Sequence, residues 1–252
     1  MLVSYRWLVD HYNDTDIVIL DSRGNTAYSY SHIPNSHPLG IEKVVQSNSD
    51  GITPVIDSDT AASLFGSLGI DDSKTVIICG DSMDPAAARV AWTLLYFGHT
   101  KTKILDMSMV TWQNNGFPTT KEITNSVQTT FIPNVNAEIR IEAESLHKKI
   151  DDAVIIDARS PQEFLAGRIP NATLFPFTDG VGENGMLFKE KDDLSHIFRE
   201  QQIPTDRELI CYCTLGHRAA NLFTQLKVAG YENVKLYDGS FADWISKGFP
   251  LA

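Results

Sequence analysis

Leu209-Ile210-Cys211-Tyr212-Cys213-Thr214-Leu215-Gly216-His217-Arg218 changes character half-way along. Its first four residues are apolar or aromatic and read as a buried strand. Beyond Arg218, Ala219, Leu222, Phe223 and Leu226 recur at spacings of three and four, which predicts a helix with one apolar face. Cys213 therefore falls between a strand end and a helix start. Unpaired N–H groups and the helix dipole stabilise negative charge at such a place, so a thiol there is set to become a thiolate. In a parallel sheet covered by helices, ligands bind at the carboxyl ends of strands, which is where Cys213 lies.

Working outward from this stretch, the chain repeats itself. Cys79 stands 132 residues before Cys211, and the same spacing relates Gly98 to Gly230, Asp106 to Asp238 and Trp112 to Trp244. It also relates Gly116-Phe117-Pro118 to Gly248-Phe249-Pro250. Asp21-Ser22-Arg23 answers Asp157-Ala158-Arg159, and Ile33-Pro34-Asn35 answers Ile169-Pro170-Asn171, both 136 residues on. Order kept over so long a stretch predicts two copies of one domain, each long enough to own a core. The first covers Met1 to Pro118 and the second Ile139 to Ala252. Thr119 to Glu138, polar and interrupted by Pro133, reads as a linker wrapping back.

Within each copy, short apolar runs alternate with helical patterns. Ile17–Leu20, Val76–Cys79, Val154–Ile156, Leu209–Tyr212 and Val234–Tyr237 are predicted strands. Ser4–His11, Thr60–Leu68 and Ala86–Phe97 are predicted helices, the last with Asp84 as N-cap and Pro85 at its first position. The alternation predicts an α/β fold, with a parallel sheet carrying helices on both faces in each copy.

Composition narrows the function. Among 252 residues 42% are hydrophobic, enough for a substantial core, and no apolar run approaches a membrane span. A formal net charge of −11 argues against a nucleic-acid partner, and any anion site must be local. Three cysteines leave at least one free thiol, and the Met1 to Trp7 start lacks a signal layout, so the expectation is a cytoplasmic protein. No His-x-x-His or Cys-x-x-Cys spacing implies a metal or other cofactor.

These residues together resemble the rhodanese (sulfurtransferase) family in its tandem-domain form, with thiosulfate and 3-mercaptopyruvate sulfurtransferases as its members of known type. The matching pieces of the second copy are Asp157-Ala158-Arg159, Glu163-Phe164 and Gly167-Arg168-Ile169-Pro170-Asn171-Ala172. Cys213 to Arg218 and Asp238-Gly239-Ser240-Phe241 with Trp244 complete the set. The resemblance implies two rhodanese-like domains, a persulfide-forming Cys213 in the second and a catalytically silent first. It implies that Thr214, Leu215, Gly216, His217 and Arg218 form a substrate-binding loop whose backbone amides cradle an anion. The partners it implies are a small-molecule sulfur donor and a thiol or cyanide acceptor, with a protein persulfide as a further donor. By the 132-residue spacing Asp81 takes the place of Cys213 in the first copy. Aspartate cannot carry sulfane sulfur, and Asp81 and Asp84 read as helix-start caps.

Alternatives stay open at several residues. The spacing Cys-x4-Arg is one residue shorter than the Cys-x5-Arg loop of cell-cycle phosphatases and some arsenate reductases, which are similar in fold. The shorter loop favours sulfur over an oxyanion. A non-enzymatic persulfide carrier or a redox-sensing module would share the same thiol. Thr214 and Leu215 stand where thiosulfate-using members carry basic side chains, and Glu163 lies where both donor groups place an arginine. Arg218 either meets the donor anion or pairs with a nearby carboxylate. His217 either contacts substrate or points to solvent. Arg168 either adds charge at a pocket mouth or is a solvated surface residue. Cys211 reads as a buried strand cysteine, Asp157 and Arg159 as an ion pair bracing a loop, and Trp112 and Trp244 as core.

Overall fold

The apolar runs become strands, and the polar breaks between them become crossovers. The computed structural model describes every residue except Asn48 and Asp50. Contacts divide the chain into two units. The first comprises Met1–Val44, Ile56–Asn136 and Gly182–Leu187, the second Val45–Val55, Ala137–Val181 and Phe188–Ala252.

In the first unit the strands are β1 (Leu2–Val3), β2 (Ile17–Asp21), β3 (Ser36–Pro38), β4 (Thr75–Cys79) and β5 (Thr102–Leu105). The helices are α1 (Tyr5–His11), α2 (Asn25–Tyr30), α3 (Ser58–Ser67), α4 (Ala86–Tyr96) and α5 (Met109–Asn114). All strands are parallel, in the order β1-β5-β4-β2-β3. Helix crossovers force this arrangement, because parallel neighbours cannot be joined by a tight hairpin. Side chains of Ser4, Asp57 and Ser108 cap α1, α3 and α5. Ahead of α4 the N-cap position falls on Pro85, one residue later than the sequence reading, though the Asp84 carboxylate still accepts from Ala86 N–H.

The second unit holds α6 (Ala143–Lys148), β6 (Val154–Asp157), α7 (Pro161–Leu165), β7 (Thr173–Leu174), α8 (Lys191–Glu200), β8 (Leu209–Tyr212), α9 (His217–Ala229), β9 (Val234–Leu236) and α10 (Ser240–Ser246). Its sheet runs β7-β6-β8-β9, again all parallel. One sheet face packs Ile155, Ile210 and Tyr212 against Leu146, Tyr237 and Trp244. In the first unit the matching face packs Ile19, Ile77 and Cys79 against Leu8, Met109 and Trp112. Both tryptophans use the indole N–H alike, donating to Pro118 O at 2.9 Å and to Pro250 O at 2.8 Å. This is why each Trp is followed by the Gly-Phe-Pro turn.

Register corrects the sequence alignment of the copies. Asp21 pairs with Cys79, whereas Asp157 pairs with Tyr212. Ser22 N–H donates to Cys79 O, and Ala158 N–H to Tyr212 O. Cys79 is therefore the counterpart of Tyr212, and Cys211 answers to Ile78. Met109 N–H donates to Gly80 O as Phe241 N–H donates to Cys213 O. Gly80, not Asp81, occupies the place of Cys213. The constant spacing misled because the loop before α4 is longer than the loop before α9.

The 119–138 stretch read as a linker lies mostly within the first unit, up to Asn136. Thr129 N–H donates to Gly66 O, and Asn134 N–H to Phe97 O. A Cβ at Gly66 would sit 2.8 Å from Thr129 O, and one at Gly98 would sit 2.5 Å from Asn134 O. Glycine at both positions is what lets the strap lie down. No helix among the described residues is long and apolar enough to cross a membrane.

Candidate active site

Strand β8 ends at Tyr212, and Cys213 is the first residue of the loop that follows. Two hydrogen bonds fix its backbone, and a third holds the serine that makes one of them. Cys213 N–H donates to Ser240 Oγ at 3.1 Å, Ser240 Oγ–H donates to Tyr237 O at 2.8 Å, and Phe241 N–H donates to Cys213 O at 3.0 Å. Ser240 meets this demand in the left-handed region, φ 57°. Gly216, φ 82°, turns the chain into α9 and aims its N–H at Cys213 Sγ, 3.1 Å away. The left-handed conformation there favours glycine. Of the loop amides expected at the sulfur, Gly216 N–H is the one within hydrogen-bond distance among the described contacts. The sulfur thus lies before the N-terminus of a 13-residue helix and is almost wholly buried.

The other loop residues have separate tasks. Thr214 Oγ–H donates to Glu163 Oε1 at 3.1 Å, and Leu215 O accepts from Thr53 Oγ–H at 2.9 Å. His217 Nε2 stands 3.4 Å from the same Thr53 oxygen. Arg218 meets Glu163 through two parallel bonds, Nη1 to Oε2 and Nη2 to Oε1, both 2.7 Å, and Nη2 also donates to Thr214 Oγ1 at 2.8 Å. Of the two readings of Arg218, the structure contains the carboxylate pair. Glu163 is itself fixed by a capping box, accepting from Ser160 N–H and Oγ–H. The hydrogen bonds from Arg218, together with those from Ser160, hold the Glu163 carboxyl well below the usual carboxylate range against the opposing effect of burial. Arg218 is raised in turn, by Glu163 first and also by the Cys213 sulfur, against burial.

A depressed carboxylate contributes stability above its unfolded pKa and loses it as pH falls through the folded value. The pair therefore stays closed from about pH 8 to about pH 5. The difference in melting temperature between wild type and Glu163→Gln is expected to be constant over that window and to shrink toward about pH 2. Thermal scans at several pH values test this.

Thr53 is the residue that motif reading missed. It belongs to the Val45–Val55 arm, which contacts assign to the second unit although it sits in the first copy of the sequence. In the same arm Val55 N–H donates to Asp238 Oδ2 at 2.8 Å, and Arg140 Nε holds Oδ1 at 2.9 Å. Nothing in local sequence pattern signals a contact spanning more than 160 residues. Loss of one such hydrogen bond costs about 1 kcal/mol, so Thr53→Val is expected to let iodoacetamide reach Cys213 about fivefold faster. Alkylation followed by mass spectrometry measures it.

Around the loop, Asp157 accepts from Arg159 N–H, Nε and Nη2 and from Tyr212 O–H at 2.5 Å. Arg159 also lies 4.0 Å from the Phe241 ring centre and donates to Gly167 O. This is a brace for the site floor, and Asp21–Arg23 repeats it in the first unit. Arg168 stacks over Phe164. The Cys211 thiol is buried, and burial, with Cys213 nearby, pushes it far up. A cavity of ≈ 490 Å³ elsewhere in the unit is lined by Arg140, Asp238 and Lys247 but not by Cys213. Among the described residues no cluster of three His, Cys, Asp or Glu is placed to hold a metal.

The description "Rhodanese-like domain" matches the chain twice, over residues 4–115 and 142–247. The chain belongs to the rhodanese-like family. Its two rhodanese-like domains resemble solved and curated tandem proteins over nearly their full length. The structure of the 3-mercaptopyruvate sulfurtransferase SseA from Escherichia coli aligns with a TM-score of 0.85 and 28% identity, covering 96% of this chain and 98% of SseA. A Haloferax volcanii protein named "Putative thiosulfate sulfurtransferase" is 29% identical, over 97% of this rhodanese-like chain and 93% of its own. "Sulfur carrier protein TtuD" of Thermus thermophilus is 27% identical, over all of this chain and 96% of its own.

Proposed function

We propose that the protein is a rhodanese-type sulfurtransferase that carries sulfane sulfur on Cys213. The observation that carries this reading is the placement of Cys213 Sγ at the start of α9, with Gly216 N–H 3.1 Å away. An N–H donor and a helix N-terminus stabilise the charge that develops at sulfur. In the first half-reaction the thiolate attacks the outer sulfur of a donor. With thiosulfate, the new bond is Cys213–S–S⁻ and the bond broken releases sulfite. In the second, cyanide or a thiolate attacks the outer sulfur of the persulfide, forming thiocyanate or a new persulfide and returning the Cys213 thiolate. Two half-reactions through a covalent intermediate predict ping-pong kinetics.

The donors within reach of this chemistry are thiosulfate, 3-mercaptopyruvate and other persulfides. Thr214 to Arg218 form the binding loop, and the first unit, with Gly80 in place of Cys213, has no thiol at that position to load. Division into a silent domain over 1–118, a linker over 119–138 and a catalytic domain over 139–252 describes the duplication. Free buried thiols suit a reducing cytoplasm. The oxyanion reading loses support because Arg218 is engaged by Glu163 rather than held free for a phosphoryl or arsenate group. The carrier reading is supported by the Thermus thermophilus relative's name and differs in turnover only.

Incubation with thiosulfate, with 3-mercaptopyruvate or with glutathione persulfide, followed by intact mass, tests the reading. One added sulfur on Cys213, and thiocyanate released repeatedly on adding cyanide, are expected. Labelling with a single turnover would establish the carrier instead. No added sulfur from any of the three donors overturns both.

A further inference from the structure

The loop offers an incoming donor one guanidinium, and that guanidinium is already occupied. Arg218 stands next to Cys213 and interacts with its sulfur, yet both ends of its fork go to Glu163 and its remaining described bond goes to Thr214. The bidentate geometry is the strong, oriented form of the ion pair. Glu163 is held from behind by the Ser160 capping box, so the carboxylate cannot swing away without undoing the start of α7. The pair is partly open to solvent, with side-chain exposures of 27% for Arg218 and 36% for Glu163. A small anion can therefore reach it from solvent. Charge bookkeeping at this place comes to zero: one cation, one anion. A dianion arriving there meets a carboxylate as close as the guanidinium, on a protein whose net charge is −11.

We propose that Glu163 is a specificity-determining residue that, by occupying Arg218 beside Cys213, sets the site for a thiol persulfide and against a dianionic donor such as thiosulfate. The proposal rests on the sulfurtransferase reading of Cys213. The favoured half-reaction is Cys213–S⁻ + R–S–SH → Cys213–S–SH + R–S⁻. The thiolate forms a bond to the outer sulfur, the S–S bond of the donor breaks, its electron pair leaves on R–S⁻, and the proton stays on the transferred sulfur. No oxidant or reductant enters. The leaving thiolate carries its charge on one atom at the sulfur, where Gly216 N–H and the α9 N-terminus already stand. Sulfite would need a cation, and Glu163 has taken the guanidinium that stands there.

Glu163→Gln keeps the capping box and the side-chain shape while removing the charge. Kinetics with thiosulfate and cyanide, and with glutathione persulfide and cyanide, are to be measured for wild type and variant, together with the melting temperature. Freed to bond the donor, Arg218 is worth a charge-assisted hydrogen bond, so the KM for thiosulfate is expected to fall about tenfold or more. Its kcat is expected to change less, so that kcat/KM for thiosulfate relative to glutathione persulfide rises by about the same factor. In Glu163→Gln with Arg218→Gln that gain is expected to vanish, since the freed guanidinium produced it. An unchanged donor ratio, or equal losses with both donors and a lower melting temperature, would make Glu163 a structural brace and overturn the proposal. If Glu163→Gln does not fold, Glu163→Ala, which removes the charge and both bonds to Arg218, must show the same shift in ratio. A wild-type protein that accepts sulfur from neither donor would bring down the sulfurtransferase reading itself. Labelling by glutathione persulfide with an unmoved ratio would bring down the role of Glu163 alone.

Discussion

Cys213→Ser is expected to take up no sulfur from any donor and to lower turnover by at least about a thousandfold. The hydroxyl that replaces the thiol is not ionised at neutral pH, and the O–S bond it would have to form is not a carrier of sulfane sulfur. Neither remaining cysteine can substitute. Cys79 lies in the first unit at the end of β4, fully buried, and burial pushes its thiol well above the ordinary range. Cys211 sits on the face of β8 opposite Tyr212, and its thiol is pushed up by burial and then by Cys213. The substitution is nearly isosteric. Gly216 N–H retains an acceptor, and the Ser240 and Phe241 bonds are to backbone, so the fold is expected to stand. Intact mass after exposure to glutathione persulfide, read beside a thermal scan, checks both statements. Sulfur retained by a folded Cys213→Ser protein would remove Cys213 from the mechanism.

The second large effect is on stability. Asp157→Ala is expected to destabilise the second unit by about 3–5 kcal/mol. The Asp157 carboxylate is fully buried and accepts from three donors of Arg159 and from the Tyr212 hydroxyl. Its removal leaves a guanidinium whose side chain is 4% exposed without its counter-charge, and an orphaned phenol beneath the site. Burial and Asp157 together push the Tyr212 hydroxyl far up, so it remains a donor and cannot ionise to compensate. Hydrogen exchange is the suitable readout, since one melting temperature does not resolve two units. Amide protection in β8, Leu209–Tyr212, is expected to fall while that in β4, Thr75–Cys79, holds. Asp21→Ala is expected to do the reverse. Loss below about 1 kcal/mol would show that Arg159 and Tyr212 find other partners and that Asp157 is not the brace.

Much of this is legible in the sequence alone. The strand-to-helix junction at Cys213 was readable because a buried parallel strand is a short apolar run and the helix after it shows a strong 3.6-residue period. Duplication was readable because Trp112 and Trp244 need the same Gly-Phe-Pro turn to satisfy their indoles. Weakly patterned elements escaped. β1, β3 and β7 are two or three residues long, too short to display a period. Spacing alone puts the counterpart of Cys213 one position off, because it cannot see where a loop gains residues; strand register can. Glu163 and Arg218 both stand out in the sequence, but their 55-residue separation hides that they hold each other. Thr53 carries no signal, because its role depends on an arm of the first sequence copy that belongs to the second unit.

That arm bears on how the duplication can be handled. Residues 45–55 belong by contact to the unit that holds Cys213, and residues 182–187 to the one that does not. A polypeptide of 139–252, cut at the boundary the repeat suggests, would keep the thiol, α9 and the Glu163–Arg218 pair. It would lose the hydroxyl that holds Leu215 and the amide that holds Asp238. Each half has lent the other a piece. Recombination that swaps one half for a foreign copy must therefore carry its loop across as well, which makes this a tandem gene product that is duplicated in text but no longer modular in substance.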